Sequence, residues 1–228
     1  MGTALGLALL LGACGAPAPD APGTPSVRPR GEPASSATRD QAFPTDTLGD
    51  WVTYGDRAVV VEVVGESRRA TEPAPDPQSP SWRDVAWQQR GELWANPARP
   101  EEHAPTTGTA AGGVYTSDRE GAGVAAVGGE PVLFVGHTYV AVLAHTDVGG
   151  GPRDWVPLAL LPFDDGIVGD GEAFGGWEGQ EATLDAVWGR TGPQVSALLA
   201  ATPVDPAVVP WAARDASQKF QLSSRARR

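Results

Sequence analysis

Cysteine is almost missing from this chain: there is one, Cys14, among 228 residues. A single thiol permits no disulfide within the chain and no cysteine cage for a metal. Lysine is equally scarce, with Lys219 alone among 17 basic residues. Histidine is limited to His103, His137 and His145. Long apolar runs are absent too. The longest at the start, Thr3 to Leu11, covers 9 residues, against the ~20 that a membrane-spanning helix requires. Several catalytic signatures are also missing: no G-x-S-x-G elbow and no S-x-x-K, no H-E-x-x-H and no G-x-x-x-x-G-K-[ST]. The nearest serine, Ser196, falls inside a helical pattern. No sequence motif marks a nucleophile or a phosphate cradle.

What stands around Cys14 is informative. Leu9-Leu10-Leu11-Gly12-Ala13-Cys14 has the form of a bacterial lipobox: an apolar h-region, small residues, then the cysteine that receives lipid. This reading makes residues 1–13 a signal peptide and Cys14 the first mature residue, anchored to the outer face of the cell membrane by acyl chains. No basic residue precedes Thr3, which points to a start upstream of Met1. Once Cys14 carries lipid, no cysteine nucleophile remains.

Residues 14–47 are rich in Pro, Ala, Ser and Thr, with no large aromatic before Phe43. Such a segment buries too little surface to offset its ordering entropy, and reads as a disordered tether. Residues 48–206 read as the globular domain and 207–228 as a basic, disordered tail. Hydrophobic residues make up 41% of the chain, with eight Trp, enough for a packed core. Residues 49–210 carry 9 basic and 23 acidic side chains. That balance argues against nucleic acid, whose affinity rests on neutralised phosphates. The basic tail fits anionic envelope polymers or headgroups less well than it fits a solvated terminus.

Within the domain, Arg57 to Glu66 is Val-rich and predicts a strand buried on both faces. Val85 to Trp94 predicts a second strand. Val85, Trp87, Leu93 and Trp94 cannot share one face of a regular strand, so a bulge is expected near Gly91. Asn96 to Gly113 reads as a loop and Val114-Tyr115-Thr116 as a short strand. His137 to His145 predicts a central strand, with Trp155 to Leu161 and Ile167-Val168 completing the set. Thr191 and Gln194 form a capping-box pattern ahead of Val195, Leu198 and Leu199 at helical spacing. A shorter helix is expected over Thr183 to Trp188. The sum predicts a mainly β domain, a small barrel or sandwich with one or two short C-terminal helices.

Candidate sites are few. Asp164, Asp165, Asp170 and Glu172 supply carboxylates on Gly-rich turns, as calcium requires. Their spacing misses the D-x-[DN]-x-[DN]-G loop, and turn punctuation explains the same letters better. His137 and His145 lie roughly 26 Å apart on a straight strand at ~3.3 Å per residue, too far to share a zinc. Trp82, Trp87, Trp94, Trp155 and Trp177 offer an aromatic surface for sugars, although strands need most of these rings as core. Trp177, between Gly176 and Glu178, is the ring expected to be exposed. Trp177 and His137 are the ligand-binding candidates.

Taken in order, the lipobox and Pro-rich tether, Asp50-Trp51-Val52-Thr53-Tyr54-Gly55-Asp56, Gly91-Glu92-Leu93-Trp94, Val135-Gly136-His137-Thr138-Tyr139-Val140, Leu161-Pro162-Phe163-Asp164-Asp165-Gly166 and Ala197-Leu198-Leu199-Ala200-Ala201-Thr202-Pro203 resemble a group of secreted or lipid-anchored actinobacterial proteins without assigned activity. The resemblance covers residues 48–206. It implies an envelope location and a domain shape, and carries over no site residues. The expected function is a lipid-anchored, monomeric, cofactor-free binding or envelope-assembly module, its partner an envelope protein or glycan. The alternatives are a carboxylate-dependent glycan hydrolase and a calcium-stabilised surface domain.

Overall fold

A computed structural model describes residues 43–68, 81–118, 121–125, 131–146, 154–169 and 181–227. Cys14, the signal peptide and the tether up to residue 42 lie outside these residues. Helix α1 (Leu48–Tyr54) leads into β1 (Arg57–Arg68), β2 (Ser81–Ala95), β3 (Thr107–Asp118), β4 (Gly121–Ala125), β5 (Thr138–Thr146) and β6 (Asp154–Pro162). Helices α2 (Glu181–Val187), α3 (Gly192–Ala201) and α4 (Ala216–Ala226) follow.

The six strands form one antiparallel sheet in the order β4-β3-β2-β1-β5-β6. The mainly β expectation with short C-terminal helices therefore holds. The sheet stays open, with β4 and β6 as its edges, and does not close into a barrel. Nor do the described residues supply the second sheet of a sandwich. Helices form the second layer instead.

Alternation along the central strands explains this arrangement. Ala58 and Val60 of β1 and Val140, Val142 and Ala144 of β5 face one core with Trp51, Leu184, Val187, Val195 and Leu199 from the helices. Val59, Val61 and Val63 with Tyr139, Ala141 and Leu143 face a second core with Val85, Trp87 and Leu133. Both faces of β1 are covered over Ala58 to Val61, as that apolar run requires. The β1–β2 register slips on either side of the Val60–Gly91 pair, between Ala58/Val59 and between Val60/Val61. These bulges place Val85 and Trp87 in one core, and Trp94 with Leu93 against the other.

Four sequence expectations are corrected. The stretch from Thr107 to Gly113, read as loop, belongs to β3. Its glycines look like loop punctuation, but a Cβ on Gly108 would stand 2.2 Å from the Trp87 ring, and one on Gly112 2.5 Å from Val85. They are flat seats for β2 side chains. Ile167-Val168 is not a strand: a 3-10 turn at Asp164–Gly166 precedes it, and Ile167 makes one bridge to Thr191. The domain begins before residue 48, because Phe43 is buried and its ring stacks on Tyr54 with centroids 5.6 Å apart.

The fourth correction is the tail. Residues 216–226 form α4, capped by Asp215, whose carboxylate accepts from the Gln218 N–H at 3.0 Å. Ala216, Lys219 and Ser223 face inward and Phe220 sets its edge against Tyr54. The expected helices near the C-terminus are present as α2 and α3, and Gln194 Oε1 accepts from the Thr191 N–H at 2.9 Å to close the box.

Candidate functional site

The site forms where the chain enters β5. Leu133 is buried and anchors the segment. The Tyr139 hydroxyl, from inside the core, accepts from the Phe134 N–H at 2.8 Å and donates to the Val132 carbonyl at 3.3 Å. Gly136 then turns the chain at φ 89°, a conformation that side-chain-bearing residues rarely take. Its N–H donates to the Val63 carbonyl at 2.8 Å, and the Val63 N–H donates to the His137 carbonyl at 3.0 Å. The turn is thus stitched to β1 at the point where Val64 bulges from the β1–β2 register.

The outcome is an apolar corner. Among the described residues the exposed large apolar side chains are Val64 (48% exposed), Phe134 (43%), Val135 (48%) and Val209. Three of these four belong to this junction. Exposed apolar groups clustered at one place point to contact with another molecule.

Beside them sits a histidine–aspartate pair. His137 Nδ1 lies 2.6 Å from Asp164 Oδ2, and the His137 ring tilts toward Phe134 with centroids 5.8 Å apart. Asp164 Oδ1 accepts from the Thr138 N–H at 2.9 Å and the Thr138 hydroxyl at 3.1 Å. Partial burial pushes the Asp164 carboxyl up, but the Thr138 N–H and the His137 ring outweigh it and hold its pKa below the ordinary value. Asp164 is therefore a fixed anion that orients an imidazole. A carboxyl held this way is a poor proton donor, whereas the acid of glycoside hydrolysis has a raised pKa.

The candidates from the sequence divide as follows. His137 and Asp164 meet directly. Asp165 is exposed one residue further on, in the left-handed region at φ 56°. Asp170, Glu172 and Trp177 lie outside the described residues, as does Cys14. Both Asp164 oxygens are already engaged, and among the described residues no group of three or more His, Cys, Asp or Glu is arranged to hold a metal ion. His145 sits at the far end of β5 with a different partner, Glu102 Oε2 at 3.1 Å, and its ring stacks on Trp155. Trp87 and Trp94 are buried, so neither adds to a sugar-binding surface.

Sequence reading missed a second constellation, deep in the molecule. Asp56 is fully buried between β1, β5 and α4. Arg99 Nη1 donates to both of its oxygens at 2.9 Å, and the His145 N–H donates to Oδ2 at 2.8 Å. Arg99 Nη2 donates to Glu102 Oε1 at 2.6 Å. Burial pushes the Glu102 carboxyl up, but Arg99 and His145 prevail and lower its pKa. Lys219, also fully buried, closes the cluster from α4. These residues are scattered across the sequence and share no motif. The one available signal was compositional: a chain that otherwise uses arginine keeps a single lysine.

Searches against protein-family models, curated proteins and solved structures find no match to this chain. None of the described helices is long and apolar enough to cross a membrane.

Proposed function

We propose that this domain is a lipid-anchored binding module at the outer face of the cell membrane, docking an envelope protein through the corner formed by Val64, Phe134, Val135 and His137. The observation that carries the reading is the grouping of three exposed apolar side chains on a rigidly stitched turn, next to an imidazole held by Asp164. Binding energy concentrates in a few exposed aromatic and apolar anchors of this kind. The lipobox reading of Cys14 supplies the location. The lowered pKa of Asp164 disfavours a hydrolase acid at this place, and the engagement of both its oxygens by His137 and Thr138 disfavours a calcium ligand.

The test is site-specific photocrosslinking in the native host, with the probe placed at Phe134 and, as a control, at Val209. A discrete adduct at 134 that Val135→Ser weakens supports the module. Adducts equal to those at 209 defeat it. Release of the protein to the medium by Cys14→Ser tests the anchor separately.

A further inference from the structure

Lys219 brings the chain's only lysine amine to the buried carboxylate of Asp56. We propose that the two condense into an intramolecular amide, joining Nζ to Cγ and tying helix α4 covalently to the start of β1.

The geometry is that of a reactant pair held out of water. Lys219 Nζ lies 3.9 Å from Asp56 Oδ1 and donates to the Thr53 carbonyl at 3.1 Å. Both residues have zero exposure. Groups fixed near contact distance react with high effective concentration, because their translational entropy is already lost. Burial also opposes both charges. It pushes the Asp56 carboxyl up despite Lys219, the His145 N–H and Arg99, and brings the Lys219 amine down to about 8. Each shift favours the neutral form that condensation consumes.

The step balances without a co-reactant. The amine nitrogen adds to Cγ, the C–O bond to the carboxyl hydroxyl breaks, and that hydroxyl leaves with one amine proton as water. Negative charge grows on the Asp56 oxygens in the tetrahedral intermediate. Arg99 Nη1 and the His145 N–H already point at those oxygens, an arrangement that stabilises a developing oxyanion.

The product suits the site. The new amide keeps one N–H for the Thr53 carbonyl, and its oxygen keeps the Arg99 donor. One buried cation and one buried anion disappear together, removing the desolvation that such a pair carries. Arg99 and Glu102 remain paired. A chain with one cysteine has no disulfide to join distant segments, and this bond would close the loop from residue 56 to residue 219.

The uniqueness of Lys219 makes the test direct. The full chain and its Asp56→Ala and Lys219→Arg variants are denatured, weighed by mass spectrometry and treated with a lysine-specific endoprotease. The proposal expects the native sequence to be lighter than its composition by one water and to resist cleavage. Asp56→Ala, at full mass, should be cut once, releasing Phe220 to Arg228. Fragmentation of the uncut chain should show a branched peptide joining residues 56 and 219. Full mass with cleavage after Lys219 in the native sequence overturns the proposal, as does a branch to any other residue. All readouts are made on unfolded chains, so a variant that fails to fold remains informative.

Discussion

Gly108→Ala offers the sharpest test of the packing between β2 and β3. An added Cβ would lie 2.2 Å from Trp87 Cζ2, 2.6 Å from Cε2 and 2.9 Å from Cη2. Real Cβ atoms do not approach a ring so closely, so the indole or the β3 backbone must move. Trp87 is buried against Val85 and Leu133 and has little room to turn. Overpacking of this kind costs about 1–3 kcal/mol. At Gly65 and Gly91, in the same sheet, an added Cβ meets nothing within 4 Å. There alanine should be neutral or stabilising by about 0.5–1 kcal/mol, because glycine in a strand carries the larger entropy loss. Urea titration separates the cases, with an unchanged slope showing that stability alone moved. The causal claim is tested in a Trp87→Leu background, where the clash is gone and Gly108→Ala should lose most of its cost. An equal cost in both backgrounds, or equal costs at positions 65, 91 and 108, would refute the reasoning.

Three further outcomes follow. In a Lys219→Arg background, where Asp56 stays a free carboxylate, Arg99→Met removes the donor to both of its oxygens and should cost about 3–5 kcal/mol in thermal denaturation, with Arg99→Lys restoring little because one ammonium cannot reach Asp56 and Glu102 together. Asp164→Asn should narrow its stability gap to the native sequence as pH falls. The carboxyl pKa is lowered by folding, so its stabilisation is complete above the ordinary value of about 4 and fades as pH drops through the folded value. Denaturation curves between pH 7 and pH 2 check this, and a constant gap would contradict it. Phe134→Ser should leave the unfolding midpoint nearly unchanged, within about 0.5 kcal/mol, since the ring is exposed. A large loss would mean that the ring supports the fold rather than a partner.

The elements read correctly from sequence were those whose own periodicity sufficed. The Val-rich β1 and the nearly continuous apolar run of β5 declare themselves, and so does the Thr191–Gln194 box ahead of α3. The failures have a common cause, in that the decisive residue lies elsewhere in the chain. The glycines of β3 make sense only beneath Trp87 and Val85. Helix α4 buries Ala216, Lys219 and Ser223, so it shows no apolar stripe to mark its inner face. Helix α1 did carry a local signal, Thr47 and Asp50 capping each other at 2.9 Å and 3.0 Å, but an Asp in place of Glu or Gln obscured it. At the corner, His137 and Asp164 were each named for different chemistry. Their meeting depends on β5 pairing with β6, which brings the turn after β6 back beside the start of β5. The Asp56 cluster depends on four separate segments and was invisible to motif reading.

Tyr54 receives one ring from each extremity of the described fold, Phe43 from the front and Phe220 from the back. The two ends are therefore not independent flaps. Peeling the entering strand of chain strips one wall from the seat of the final helix, and loosening that helix uncovers the first turn in return. A pull applied at either terminus is shared by both, so the domain should resist fraying until the whole clasp gives way at once.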